Sequence, residues 1–170
     1  DVVGFIKDSS FVVLAKTPDD FPDSRIEDIL MGPDNRIWIA KCNGVMSCTP
    51  GKDKFRFIPG LEGVCARVLF KDQGNIFIGT YGNGYFIWKN GKLMKPPLDR
   101  NKFLSHAHSF LIDKNNYLWM STNKGLFRVP YQKVLSYIQD TTNTLQYEYF
   151  GDDDGILNTE FNGGCTPSVV

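Results

Sequence analysis

Three stretches of this chain repeat one pattern, and that repeat constrains the fold more than any single motif. Aligned on a central aromatic residue they are SRIEDILMGPDNRIWIAKCNGVMSC (24–48), GVCARVLFKDQGNIFIGTYGNGYFIW (63–88) and SHAHSFLIDKNNYLWMSTNKGLFRV (105–129). Trp38, Phe77 and Trp119 are equivalent, at spacings of 39 and 42 residues, about the period of a propeller blade. In each unit a first apolar strand (Ile26–Met31, Ala66–Phe70, Phe110–Ile112) runs into a turn rich in Asp, Asn or Gly, and a second strand carries the aromatic. A polar loop ending in Gly44, Gly84 or Gly125 then supplies the positive-φ position of a tight reversal into a third strand. A fourth strand follows a further break: Lys54–Ile58, Lys92–Lys95 after Asn90-Gly91, and Gln146–Phe150 after a longer insert.

Four short antiparallel strands per unit at this period predict an all-β fold, a partial β-propeller. The blades are expected at 21–59, 60–99 and 100–150, with 1–20 ending a preceding blade and 151–170 starting the next. Three blades do not close a ring, since closed propellers use about four to eight. The apolar ends Asp1-Val2-Val3 and Pro167-Ser168-Val169-Val170 suggest an excised fragment whose open flanks are covered by missing sequence, by another chain or by aggregation. One segment breaks the rhythm: YQKVLSYIQD (131–140) places Val134, Leu135 and Ile138 at helical spacing, so a short helix on the rim is expected near 131–139.

Charge removes two partner classes. Nineteen Lys+Arg balance nineteen Asp+Glu, a formal net charge of zero, which leaves no electrostatic footprint for nucleic acid or an anionic membrane surface. No apolar run reaches the roughly 18 residues needed to span a bilayer, and the N-terminal stretch lacks the basic start and cleavage site of a signal peptide. Cys42, Cys48, Cys65 and Cys165 show no CxxC spacing and no histidines at zinc-finger distance. Cys42 and Cys48 flank a turn; they read as ordinary small buried residues, a disulfide between them being the alternative.

The consensus within IWIAKCNGV, IFIGTYGNGY and LWMSTNKGL resembles LWIGT-x-x-GL, the signature of two-component-regulator propeller repeats. YFGDDDGILNTEFNGG (149–164) is similar to the DGL-x-x-x-EFN-x-G element that opens the last blade in that family. Ala40-Lys41 and Ser121-Thr122 depart from the Gly-Thr of the consensus, and the second unit has one extra loop residue. The resemblance implies the periplasmic sensor region of a Bacteroidetes hybrid two-component system. It further implies an immunoglobulin-like three-tyrosine domain, a membrane helix and a histidine kinase elsewhere in the parent chain. The fragment itself would then be non-catalytic, sense an oligosaccharide and pair with a second copy, with no cofactor and no direct membrane contact.

Candidate binding residues are the non-repeated ones in the connections that propellers present on one face. Lys41, Asn43, Tyr81, Asn83, Asn123 and Lys124 lie in loops between second and third strands; Arg25, Arg67, His106 and His108 lie in or near the links between blades. Such mixed donors and acceptors beside an aromatic platform suit sugar hydroxyls. Trp38, Phe77 and Trp119 read as packing between blades, because a ligand rarely needs the same residue in every blade. His106 and His108 share one face of a strand without a third ligand, and GDDDG (151–155) lacks the alternation of a calcium loop, so no metal is expected. The rival readings are a metal-dependent propeller hydrolase or lactonase, which needs carboxylates converging from several inner strands, and a protein-interaction propeller of the WD or kelch kind.

Overall fold

The computed structural model describes residues 2–16 and 25–162. Its strands are β1 (Val2–Lys7), β2 (Ser10–Lys16), β3 (Ile26–Met31), β4 (Ile37–Lys41), β5 (Gly44–Cys48), β6 (Arg56–Phe57), β7 (Ala66–Asp72), β8 (Asn75–Thr80), β9 (Tyr85–Lys89), β10 (Lys92–Met94), β11 (Ser109–Ile112), β12 (Tyr117–Thr122), β13 (Gly125–Pro130) and β14 (Glu148–Phe150). They form a β1-β2 hairpin and three four-stranded antiparallel sheets, each ordered as the chain runs: β3 to β6, β7 to β10 and β11 to β14. The fourth strands are shorter than the sequence suggests, two or three residues each.

The second strand of each sheet is sandwiched, and strict alternation sends its side chains to opposite neighbours. In β4, Ile37 and Ile39 pack with Val3, Met46 and Phe55 on the side of the first hairpin, whereas Trp38 and Ala40 pack with Ile76, Ile78 and Leu69 of the next sheet. In β8, Ile76 and Ile78 face back toward Trp38 while Phe77 faces forward, onto Phe110, Leu118 and Met120. In β12, Leu118 and Met120 face back toward Phe77. The cores between sheets are thus built by one repeated register.

The reversals behave as glycine requires. Gly44 and Gly125 sit at φ of 138° and 116°, and a Cβ on either would meet Phe57 or the Phe150 carbonyl at 2.6 or 2.4 Å. Backbone conformation and close strand approach both exclude a side chain there.

The helix α1 (Tyr131–Gln139) follows Pro130 directly and serves as a strap rather than a rim ornament. Tyr131, Val134, Tyr137 and Ile138 are buried in the core shared by the second and third sheets, with Leu135 packed at its edge. Its two tyrosines tie it to the second sheet: Tyr131 donates to Asp72 and Tyr137 donates to the Lys95 carbonyl.

Candidate functional site

The first strands of two sheets carry the same irregularity. In β3 the register jumps between Ile26 and Asp28, and in β7 between Ala66 and Val68, so Glu27 and Arg67 are the extra residues of equivalent β-bulges. A bulge re-aims one side chain out of the alternation and is common beside binding sites. His108 stands at the same position in the third sheet, one residue before the Ser109–Ser121 pair that corresponds to Val68–Gly79. Its N–H donates to the Ser121 carbonyl. Three successive sheets therefore present Glu27, Arg67 and His108 at one repeated place with three different chemistries.

These groups form a continuous row. Glu27, its side chain 4% exposed, accepts from Arg25 Nε at 2.9 Å and from Arg67 Nη1 at 3.1 Å. Burial raises the affinity of the Glu27 carboxyl for a proton, but the hydrogen bond from Arg25 and the charges of both arginines outweigh it and hold the group below its ordinary value. The Arg67 guanidinium lies 5.5 Å from the centre of the Tyr81 ring. Tyr81, 47% exposed, meets the His106 ring edge-on at 4.3 Å and lies 6.3 Å from His108. His106 Nδ1 pairs with Ser105 Oγ at 2.8 Å. Burial, then the neighbouring His108, lowers the pKa of His106. His108 Nε2 donates to Asn123 Oδ1, a carbonyl acceptor, and its Nδ1 is buried without a partner among the described residues.

Six of the ten connection residues named from the sequence, Arg25, Arg67, Tyr81, His106, His108 and Asn123, come together in this row. The other four stand at the ends of β4, β8 and β12 or in the turns that follow them. Lys41 ends β4 and is only 2% exposed. The Asn43 carbonyl accepts the Gly63 N–H at 2.9 Å. Asn83 and Lys124 donate backbone N–H groups to Thr80 and Thr122 hydroxyls, which shapes their loops.

Glu27 was missed by sequence reasoning because IEDILM reads as core. A two-residue alternation does not reveal the extra residue of a bulge. The cysteines also differ from expectation. Cys42 is joined to Cys65, not to Cys48, which is free and buried. The partner lies in the next repeat, where local turn spacing does not point.

The junctions between sheets share a frame. Ala107 N–H donates to the Thr80 carbonyl and Gly84 N–H to the Ser105 carbonyl; Phe161 N–H donates to the Thr122 carbonyl and Gly125 N–H to the Thr159 carbonyl. Residues 159–161 thus repeat the link 105–107, and Asn162 falls where His108 does. In the same frame Cys42–Cys65 at the first junction corresponds to Tyr81–His106 at the second. Beyond the third sheet an open cavity of about 360 Å³ is lined by Leu111, Trp119, Leu126, Phe161 and Asn162.

Trp119 does not have the surroundings of its counterparts. Trp38 and Phe77 are fully buried between sheets. Trp119 has no further sheet over it among the described residues, and is half-buried, with its Nε1 donating to Asp113 at 2.8 Å and Arg128 5.3 Å from the ring. No group of three or more His, Cys, Asp and Glu converges among the described residues, and Asp154 folds back to accept the Gly151 N–H. No helix is long and apolar enough to cross a membrane.

Among solved structures the chain is similar to an ancestral GH74 enzyme, with a TM-score of 0.60 and 16% identity over 86% of this chain and 21% of that one. The chain is a segment of a β-propeller. It also aligns, with a TM-score of 0.43 and 15% identity, to the extracellular domain of a putative hybrid two component system from B. thetaiotaomicron, over 89% of this chain and 26% of that one. The propeller segment therefore spans about a fifth to a quarter of the length of these two structures. No protein-family model and no curated protein matches the sequence.

Proposed function

We propose that this propeller segment belongs to the periplasmic oligosaccharide-sensing region of a hybrid two-component sensor kinase and is itself non-catalytic. The observation that supports the reading most is the row at the bulge positions. The scaffold repeats while Glu27, Arg67 and His108 at one repeated place do not, as expected where a scaffold is kept and a ligand is read. The resemblance of the repeats and of DGILNTEFN (154–162) to sensor propellers points the same way. Tyr81 supplies the platform, and Asn123, the histidines and the arginines supply donors and acceptors for hydroxyls.

The chemistry of the carboxylates favours binding over hydrolysis. A glycosidase needs a protonated acid opposite a base or nucleophile. Glu27 is held ionised by two guanidinia, and both oxygens of Asp28 accept backbone N–H groups, from Ile29 at 2.8 Å and from Leu69 at 2.7 Å. Neither is placed as an acid. In the parent protein the remaining blades, a three-tyrosine domain and a second copy of the chain would relay occupancy to the kinase.

Calorimetry with a panel of oligosaccharides tests the reading. At least one is expected to bind, with Tyr81→Ala weakening it tenfold or more. Hydrolysis of a panel member that is lost on Glu27→Gln would replace the sensor reading by the enzyme one.

A further inference from the structure

We infer that the Cys42–Cys65 disulfide holds the Tyr81 platform in place, so that the row is complete only in the oxidised chain. The site is the one proposed above, and the consequence for ligand binding rests on that reading.

The two junctions between sheets are closed by different means. At the second, α1 buries Tyr131, Val134, Tyr137 and Ile138 in the shared core, and its tyrosines bond Asp72 and the Lys95 carbonyl. Among the described residues no α-helix spans the first junction. There the first strands are tied by the Glu27–Arg67 ion pair and by the Leu69 N–H donating to Asp28. The loop after β4 is tied to the entry of β7 by the disulfide and by the Gly63 N–H, which donates to the Asn43 carbonyl at 2.9 Å. A covalent link thus stands where the second junction has the edge-on contact of Tyr81 with His106.

Cys65 passes its position to Tyr81 through the backbone. Its carbonyl accepts the Tyr81 N–H at 2.8 Å, and the next residue, Ala66, pairs with Thr80. After Ala66 comes the bulged Arg67, whose guanidinium lies against the Tyr81 ring. The Tyr81 side chain is half exposed, so its place is set largely by its backbone. Contacts run from Cys42 to Cys65, from Cys65 to Tyr81 and from Tyr81 to His106, one series through three sheets. Opening the first link loosens the strand entry that carries both the platform and the cation beside it.

The chemistry suits a reversible bond. Cys42 and Cys65 are only partly buried, within reach of a small thiol or disulfide, whereas Cys48 is fully buried. Closing the S–S bond takes two protons and two electrons from the two thiols; the oxidant is a disulfide of the glutathione class, which leaves as two thiols. Such bonds persist in oxidising compartments, the bacterial periplasm among them. In the proposed sensor the row would therefore be finished after export.

Amide hydrogen exchange on the full chain, first oxidised with glutathione disulfide and then reduced with dithiothreitol, reads the platform without any ligand. Reduction is expected to speed exchange at the Tyr81 N–H about tenfold or more while the amides of β12 and β13 keep their rates. Cys42→Ser, Cys65→Ser and the double substitution should each reproduce the reduced pattern, with no added effect in the double. Peptide mapping after alkylation without reductant should leave Cys42 and Cys65 unlabelled. Exchange at Tyr81 unmoved by reduction, or rising in step with β12 and β13, overturns the positioning role, because the bond then leaves the row alone or steadies the whole fold alike. Labelling of Cys42 and Cys65 in the glutathione-treated chain overturns the staple itself. Either failure leaves oligosaccharide sensing standing, since no ligand enters the measurement.

Discussion

Trp38 and Trp119 occupy the same register in sheets of the same design, yet one is sealed and the other is half open. Trp38 is covered by the second sheet and meets Trp88 edge-on at 4.9 Å. Its Nε1 is buried without a partner among the described residues, and a Cβ on Gly32 would come within 2.5 Å of that atom. At the position of Gly32 the third repeat has Asp113, whose Oδ2 accepts the Trp119 Nε1 hydrogen. The sealed tryptophan has a glycine that makes room, and the open one has a carboxylate that satisfies its polar edge. That carboxylate is held below its ordinary pKa chiefly by the hydrogen bond from Trp119, helped by the Tyr117 N–H. At one register, Gly32 leaves room for the ring of Trp38, and Asp113 supplies an acceptor to the indole N–H of Trp119.

The contrast is broken first by truncation. Phe77→Ala empties a fully buried site between two sheets and is expected to cost about 3–5 kcal/mol, against less than half of that for Trp119→Ala; equal losses in chemical denaturation would mean that the Trp119 face is covered in solution. Next comes the staple at the first junction. Cys65→Ser opens a link between residues 23 apart, for which a loss of about 2–4 kcal/mol is expected. A melting temperature unmoved by the substitution and by reductant would remove the disulfide from the account.

A smaller effect on folding, with a clear effect on assembly, is expected for Leu111→Lys. The substitution places a charge on the open face and should change stability by about 0.5 kcal/mol or less while reducing self-association in light scattering. The opposite flank also exposes apolar surface, Ile6 being 78% exposed with Phe5, Phe11 and Val13 beside it, so Ile6→Lys is the companion variant. Association untouched by either variant would show that neither flank is sticky.

The smallest effect is a pH dependence. The pKa of folded His106 lies below the ordinary imidazole value of about 6.5 because burial and His108 disfavour the charged form. The unfolded chain therefore binds more protons in that window, and stability falls as pH drops through 6.5 toward the folded value. His106→Gln should flatten the slope between pH 7 and 5; an unchanged slope would assign it to another group.

Much of this architecture is legible in the sequence because it rests on local rules. Repeated short runs of aromatic and aliphatic residues between turn residues mark Ile37–Lys41, Asn75–Thr80 and Tyr117–Thr122 as strands, and positive φ demands the glycines at 44, 84 and 125. A helical spacing after Pro130 marks α1 within one residue. The loop residues Tyr81, His106, His108 and Asn123 could be named as candidates because they do not repeat where their surroundings do.

What the sequence left open depends on where one repeat meets the next. Glu27 joins the row because a bulge turns it out of the core pattern, and only strand pairing shows the bulge. Cys42 finds Cys65 because the turn of one sheet abuts the entry to its neighbour, a proximity set by the stacking of sheets rather than by spacing along the chain. Trp119 differs from Trp38 because nothing described packs over it. The repeat determined the blades; their juxtaposition decided which side chains became core, which became a staple, and which were lined up in one row.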